Sequence, residues 1–411
     1  MKNKEKIVLF DDIQNCCGCG GCKSICSQDA ITMNENEYGF LYPNIDYSKC
    51  INCGMCKRYC AYQSNIAGES TEQALVSVTK NRELLIKSAS GGVFATLAEK
   101  ILLEGGVVCG CAYEQKDGIL NPIHIAIDNV NSLYKLQGSK YVQSDTSGIF
   151  SVVKKYLKGN NKVLFSGTPC QVAELKRYLE NVDCSNLYCI DIICHGVPSA
   201  KMFREYLKQL KEKFSNDIID FKFRDKKRAH GFYSSVTYKL NNTVKKKYIP
   251  AGLSSYYSLF LKSVTYRENC YSCPYANNSR VGDITIGDYW GIEKQHSDYL
   301  VSNGGDLDIS NGVSCILVNN EKGKKLIDIY GNELFSKDSS FEKVSVQNEQ
   351  LSSPSKKSDN RNKVMDMFKD QGYKAIDDWH DKNLGVKKYA YQLYSKMPGF
   401  VLKLVAKIKS K

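Results

Sequence analysis

The chain has 411 residues, 42% hydrophobic and 25% charged, which leaves room for roughly two or three domains with sizeable cores and excludes wholesale disorder. Its formal net charge of +13 raises the question of nucleic acid, yet no zinc finger, helix-turn-helix signal or aromatic RNA-binding motif accompanies the lysines, so a nucleic-acid partner is not expected. The amino terminus, MKNKEKIVLFDD, is not a signal peptide, and no run of about eighteen apolar residues offers a membrane span.

Eight of the eighteen cysteines fall in two copies of Cys-x₂-Cys-x₂-Cys-x₃-Cys: Cys16, Cys19, Cys22 and Cys26, then Cys50, Cys53, Cys56 and Cys60. Two-residue gaps point three sulfurs of each run into one cavity, and the fourth reaches the other cluster. The expected [4Fe–4S] ligand sets are therefore Cys16, Cys19, Cys22 and Cys60, and Cys50, Cys53, Cys56 and Cys26. Structural zinc uses two separated pairs, not three cysteines in one loop. The pattern resembles that of two-cluster bacterial ferredoxins. The proline that usually follows the fourth cysteine is Ser27 here and Ala61 there, which removes no ligand. Cys17 reads as a bystander. Free thiols and clusters both require a reducing compartment, so a cytoplasmic location is expected.

A β-hairpin is predicted at Ala30–Met33 and Gly39–Tyr42, and Gln63 to Gln73 reads as a linker. Helices are predicted at Gly92–Glu104, opened by Ser90 and closed by Gly105-Gly106, and at Ser147–Leu157, Gln171–Leu179, Ala200–Lys213 and Tyr256–Lys262. Strands are predicted at Val107–Ala112, His124–Ile127, Lys162–Phe165, Leu187–Ile193, Ile218–Phe223, Tyr233–Leu240, Val244–Ile249, Ile284–Ile286 and Val313–Val318, with Asn241-Asn242 at a turn. From Leu351 the chain is polar, and it ends in a basic apolar segment, Lys387–Lys411. On helical spacing that segment suits either a docking helix or an anionic membrane surface, although Pro398-Gly399 interrupts it.

Four further cysteines stand at suggestive places. Cys170 in GTPCQ and Cys194 in DIICHG follow strands, where the sites of α/β sheets form; Cys270 and Cys273 make a Cys-x-x-Cys loop ahead of DITIGD. Ser90-Gly91-Gly92 precedes a helix, whose free amides and dipole suit a pyrophosphate, or simply start the helix. No Gly-x-Gly-x-x-Gly occurs, which argues against a Rossmann site. Cys109, Cys111, Cys184, Cys189 and Cys315 read as packing residues.

The blocks Ser90-Gly91-Gly92, Gly138-Ser139-Lys140-Tyr141, GTPCQ, ICHGVPS, CYSCPYA and ITIGDYWG resemble the beta subunit of coenzyme F420-reducing hydrogenase and its dehydrogenase relatives, over about residues 80–365. The resemblance implies FAD next to a third [4Fe–4S] cluster. Carried over by position, the ligands are Cys170, Cys194, Cys270 and Cys273, with FAD near Ser90, Gly91, Gly92, Val93, Gly138, Ser139, Lys140, Tyr141, Gly287 and Asp288. At about −2 per cluster, three clusters bring the formal charge to roughly +7.

The expected fold is α+β: a ferredoxin-like two-cluster part (1–66), a mixed α/β flavin-binding part (74–365) and a basic helical tail (366–411). The expected activity is that of an iron–sulfur flavoprotein oxidoreductase, passing electrons between a redox partner protein, the clusters and FAD, with hydride exchange to F420 or another small donor or acceptor. The alternative is an electron-transfer subunit with no substrate of its own. His195 is the candidate proton donor, and Arg224, Lys226 and Lys140 are candidates for an acidic substrate, surface solvation being the plainer role of each.

Overall fold

The computed structural model describes residues 6–397 other than Asn65, Ala67, Ser215, 227–230 and Asn242, together with the backbone but not the side chain of Tyr394. The described residues form a mixed α/β architecture with a helical C-terminal region. Fifteen strands are found among them: β1 (Ile31–Glu35), β2 (Leu41–Ile45), β3 (Glu69–Ser70), β4 (Gln73–Thr79), β5 (Val107–Lys116), β6 (Ile119–Ile127), β7 (Val163–Gly167), β8 (Leu187–Ile192), β9 (Ile218–Lys222), β10 (Tyr233–Leu240), β11 (Thr243–Pro250), β12 (Ser279–Arg280), β13 (Ile284–Asp288), β14 (Ser314–Val318) and β15 (Leu334–Ser339).

Eight of these make one sheet in the order β15-β4-β14-β13-β8-β7-β5-β6. Its middle is parallel, β13, β8, β7 and β5 all running one way, with antiparallel strands at both flanks. Strand periodicity explains the layering. Val108, Leu164 and Ile190 face one core with Leu97 and Ile101 of helix Val93–Leu103. Their neighbours Val107, Cys109, Val163, Phe165 and Cys189 face a second core with Phe150, Val153 and Val172 of helices Ile149–Lys158 and Pro169–Tyr178. Helices thus cover both faces, and the carboxyl ends of the parallel strands open onto one edge, where α/β sheets place their sites.

The predicted elements recur with small shifts, and three differences stand out. The hairpin is β1–β2, pairing Ile31 with Ile45. The stretch read as a linker is tied down, since β3 pairs with β12. The tail is not simply polar: Val364, Met365, Phe368, Tyr373 and Ile376, on helices Arg361–Gln371 and Tyr373–Leu384, are buried in an aromatic core with Phe203, Tyr206 and Tyr256. No helix among the described residues is long and apolar enough to cross a membrane.

Buried histidine makes this fold sensitive to acid. His124 on β6 stacks on Phe165 with ring centres 5.5 Å apart. Its Nε2 lies 3.1 Å from the Ser166 carbonyl and its Nδ1 2.9 Å from Ser144 Oγ. A carbonyl only accepts, so Nε2 carries the hydrogen, and Nδ1 accepts from the serine hydroxyl. Protonating Nδ1 breaks that bond, and burial holds the imidazole down to about 4 from an ordinary 6.5. A depressed folded value means the unfolded chain binds the proton more tightly. Stability is therefore full above about pH 6.5 and lost as pH falls toward about 4, by about 2 kcal/mol at pH 5 and about 3 in all. Urea midpoints of the wild type at pH 7 and pH 5 should show this fall, and His124→Gln should flatten it.

Candidate functional site

The two cysteine runs share one backbone device. Gly20 (φ 75°) and Gly54 (φ 76°) sit left-handed at the N-termini of the short helices Gly21–Ile25 and Met55–Arg58, bending each run back on itself. In the first run the turn is also tight, because a Cβ on Gly20 would lie 2.8 Å from Ser147 Cβ. Cys60 lies beside Cys16 and Cys22, and Cys26 beside the second run. Burial pushes the Cys22 thiol up, and its neighbours Cys16, Glu174 and Cys60 add to the effect. Burial likewise holds Cys60 up at about 11, with Glu174 and Cys16 contributing. On the other side, Cys26, Cys50, Cys53 and Cys56 line a common cavity of about 20 Å³. Cys53 is exposed there, whereas Cys16, Cys19, Cys22 and Cys60 are covered to a greater degree.

Cys170, Cys194, Cys270 and Cys273 come together from separate stretches of chain and line a cavity of about 50 Å³. Cys170 is in the first turn of helix Pro169–Tyr178, which a Thr168–Gln171 capping box fixes just beyond β7. Cys194 follows β8, and the Cys-x-x-Cys loop is held by Arg280, which donates to the Tyr275 carbonyl at 2.9 Å and pairs with Asp191 at 3.3 Å. Burial pushes Cys194 up to about 12, with Cys170 and Cys273 adding; burial and neighbouring thiols likewise raise Cys270. Thiols grouped so that each opposes ionisation of the next give up their protons in exchange for metal charge, which is the chemistry of a cluster site. Among the described residues no three such groups close tightly enough for one metal ion. The sulfurs surround cavities instead.

Cys17, expected as a bystander, lies between the sets. It is buried, lines the third cavity with Cys19 and Cys170, and those two thiols act on its ionisation. Around it the cysteine loops and the sheet are stitched together. Gln143 Nε2 donates to the Cys17 carbonyl at 3.0 Å, Thr146 Oγ1 to that of Cys19 at 2.6 Å, and Ala61 N to Glu174 Oε2 at 2.9 Å. Cys109, Cys189 and Cys315 are fully buried packing residues, as expected.

A larger cavity of about 380 Å³ opens at the carboxyl edge of the parallel strands, within the usual size range of small-molecule sites. Ser90, Gly92, Val93, Gly138, Ser139, Lys140, Tyr141, His195, Gly287 and Asp288 all line it. Helix Val93–Leu103 presents its N-terminus there behind Gly92 (φ 86°), with no side-chain cap and no acidic residue in its first turn. Such an end has free amides and a positive dipole. Cys194, His195, Gly196 and Val197 line both this cavity and the sulfur-lined one, as do Val142, Ser144, Thr168 and Gln171, so the two cavities share a wall. Burial lowers the His195 imidazole, against the pull of Asp288 and Glu349.

Gly91 alone of the expected flavin residues does not line the cavity. Its N–H donates to Ser314 Oγ at 2.9 Å, and a Cβ would stand 2.4 Å from the Ser77 carbonyl and 2.7 Å from the Ser314 amide. The loop lies flat across β4 and β14, and only glycine allows it. Gly91→Ala should therefore cost about 3 kcal/mol or more in urea unfolding, because both clashes are with main chain. Gly138→Ala, at φ 82° with open space around it, should cost about 1 kcal/mol.

The basic candidates are not surface residues. Arg224 is buried and grips Asp288 with both nitrogens, at 3.1 and 3.3 Å, beneath the rings of Phe232 and Trp290 at 5.1 and 5.4 Å. Lys226 is buried too, donating to the Leu85 carbonyl at 2.8 Å and the Ser90 carbonyl at 2.5 Å, so it pins the Ser90 loop. Burial and the Arg224 charge hold its amine down at about 7. Lys140 lines the cavity while donating to the carbonyls of Gln137 and Gly138, and burial lowers its amine. Sequence reasoning also missed Arg267 and Glu174, both buried against the first cysteine run.

Residues 160–336 match the family described as the C-terminal part of the coenzyme F420 hydrogenase/dehydrogenase beta subunit. The match covers less than half of the chain. Within it stand Cys170, Cys194, Cys270, Cys273, His195, Arg224, Gly287 and Asp288; the Ser90 and Gly138 loops and both N-terminal cysteine runs lie outside it. A chain of the F420-reducing [NiFe] hydrogenase complex from Methanosarcina barkeri is similar at 14% identity, over 77% of this chain and 92% of that one, with a TM-score of 0.42. No curated protein matches the chain. The matched family is described as part of a hydrogenase/dehydrogenase, and the matched segment contains the four cysteines of the third set.

Proposed function

We propose that the chain is a cytoplasmic iron–sulfur flavoprotein oxidoreductase, with two ferredoxin-like [4Fe–4S] clusters, a third cluster on Cys170, Cys194, Cys270 and Cys273, and FAD in the large cavity. The observation that carries this reading is the shared Cys194–Val197 wall, which sets sulfur ligands directly against a small-molecule cavity. When bound, the clusters would supply single electrons, and FAD would exchange a hydride with F420 or another small donor or acceptor.

The residues have separable tasks. The uncapped amides of Val93 and Phe94 suit a pyrophosphate. Arg224 neutralises Asp288, so the cavity wall offers an aromatic, charge-balanced surface rather than a bare carboxylate. His195, exposed to that cavity beside Cys194, is placed to give or take a proton at its imidazole. Cys53 is exposed and lines its cavity with exposed Ile51, and it is the contact point for a redox partner protein.

Anaerobic reconstitution with iron and sulfide followed by FAD titration tests the reading. Flavin absorbance that stays with the protein is expected; failure to retain flavin removes the enzyme assignment. Exposed Cys53 also favours the second reading, an electron-transfer subunit feeding a separate enzyme. Turnover of dye or F420 by the chain alone separates the two. The C-terminal helix Lys387–Lys396 rests Tyr391 against Gly252 and leaves Val386, Tyr389 and Leu393 exposed among lysines, which is compatible with the proposed membrane or partner contact; the remainder of that segment, from residue 398, lies outside the described residues.

A further inference from the structure

Two arginines are fully buried beside the sulfur-lined cavity, and they are balanced differently. Arg280 has Asp191 as counter-ion. Arg267 is 0% exposed, yet it makes no ion pair among the described residues. Its Nε donates to the Cys16 carbonyl at 3.0 Å and its Nη1 to Gln143 Oε1 at 3.4 Å, while Nη2 lies 3.8 Å from Cys16 Sγ. The guanidinium stacks over Tyr42 at 3.9 Å.

Arginine does not shed its proton in a protein, so this site holds a permanent positive charge away from water. Neutral acceptors and a ring face compensate it only partly. The groups that remain are sulfurs: Cys16 of the first set is in contact, and Arg267 also lines the cavity of Cys170, Cys194, Cys270 and Cys273. It therefore stands at the junction of two sites whose ligands must be anionic when loaded.

We propose that Arg267 is the shared counter-charge of the first and third iron–sulfur sites, a positioning residue that makes both easier to reduce. The step concerned is uptake of one electron by each cluster, from reductant added in a titration or from the redox partner. Each electron adds one negative charge, and a fixed cation at contact range in a medium of low dielectric favours the more negative state. The inference rests on the cluster assignment above. The site on Cys50, Cys53, Cys56 and Cys26 lies outside Arg267's contacts and serves as an internal reference.

The test is an EPR-monitored redox titration of the full-length chain after reconstitution. Arg267→Gln should weaken reduction of the two inner sites by about tenfold, equivalent to 59 mV for a one-electron couple, and leave the outer site where it was. Arg267→Lys, which keeps the charge, should recover most of the loss. Should Arg267→Gln fail to load iron, Gln143→Glu sets a carboxylate against the guanidinium, as Asp191 does for Arg280, and should lower the same two potentials. Loaded variants whose inner sites titrate like the wild type overturn the proposal alone. Wild-type chain that takes up no iron overturns the cluster assignment and this proposal with it.

Discussion

Cys194→Ser is expected to lose about four of about twelve irons per chain while keeping its flavin, because serine differs by one atom and disturbs the cavity wall little. Cys194 has no alternative role that would spare the site. It lies just beyond β8, neighbours Cys170, Cys270 and Cys273, and lines both cavities. Cys189→Ser is the control. Cys189 is five residues earlier, on β8 itself, fully buried in the packing core, and its variant should keep all its iron. Anaerobic iron assay of both variants decides the matter; full iron in Cys194→Ser would falsify the third ligand set.

Asp191→Ala carries the second large effect. Asp191 is 0% exposed and accepts from Arg280 at 3.3 Å, from the Val281 amide at 3.2 Å and from the Gly282 amide at 3.0 Å. Removing it leaves a buried guanidinium without its counter-ion and two buried amides without an acceptor. Breaking a buried pair from one side typically costs about 3–5 kcal/mol. Arg280 also anchors the Tyr275 carbonyl behind the Cys-x-x-Cys loop, so iron at the third site should fall together with stability. Urea unfolding of the iron-free chain isolates the stability loss; a change below about 1 kcal/mol would mean that water replaces the carboxylate.

Local pattern made much of this architecture legible. The Cys-x₂-Cys spacing leads to the expectation of crossed ligand sets, and the chain places Cys60 beside Cys16 and Cys22, and Cys26 beside Cys50, Cys53 and Cys56. Short apolar runs, predicted as strands at Lys162–Phe165 and Leu187–Ile193, recur as the buried strands Val163–Gly167 and Leu187–Ile192. Strand β4 went unread because QALVSVT follows a polar stretch and shows its six buried residues only inside a sheet. The buried face of helix Arg361–Gln371 was hidden by a polar sequence in which Val364, Met365 and Phe368 are the apolar side chains that turn inward. Arg224 and Lys226 look like surface charges in FKFRDKK, yet tertiary packing buries them, one on Asp288 and the other on two carbonyls. Arg267 was invisible for the same reason: its partner Cys16 is 251 residues away. Gly91 read as a phosphate-loop glycine, whereas its neighbours show a steric requirement.

Iron and flavin counted together on the anaerobically reconstituted full-length chain test the central claim most directly. Sulfurs from three sets of four, set against one small-molecule cavity, predict about twelve irons and one flavin per chain. About eight irons, or twelve with no retained flavin, would contradict the proposed junction at Cys194.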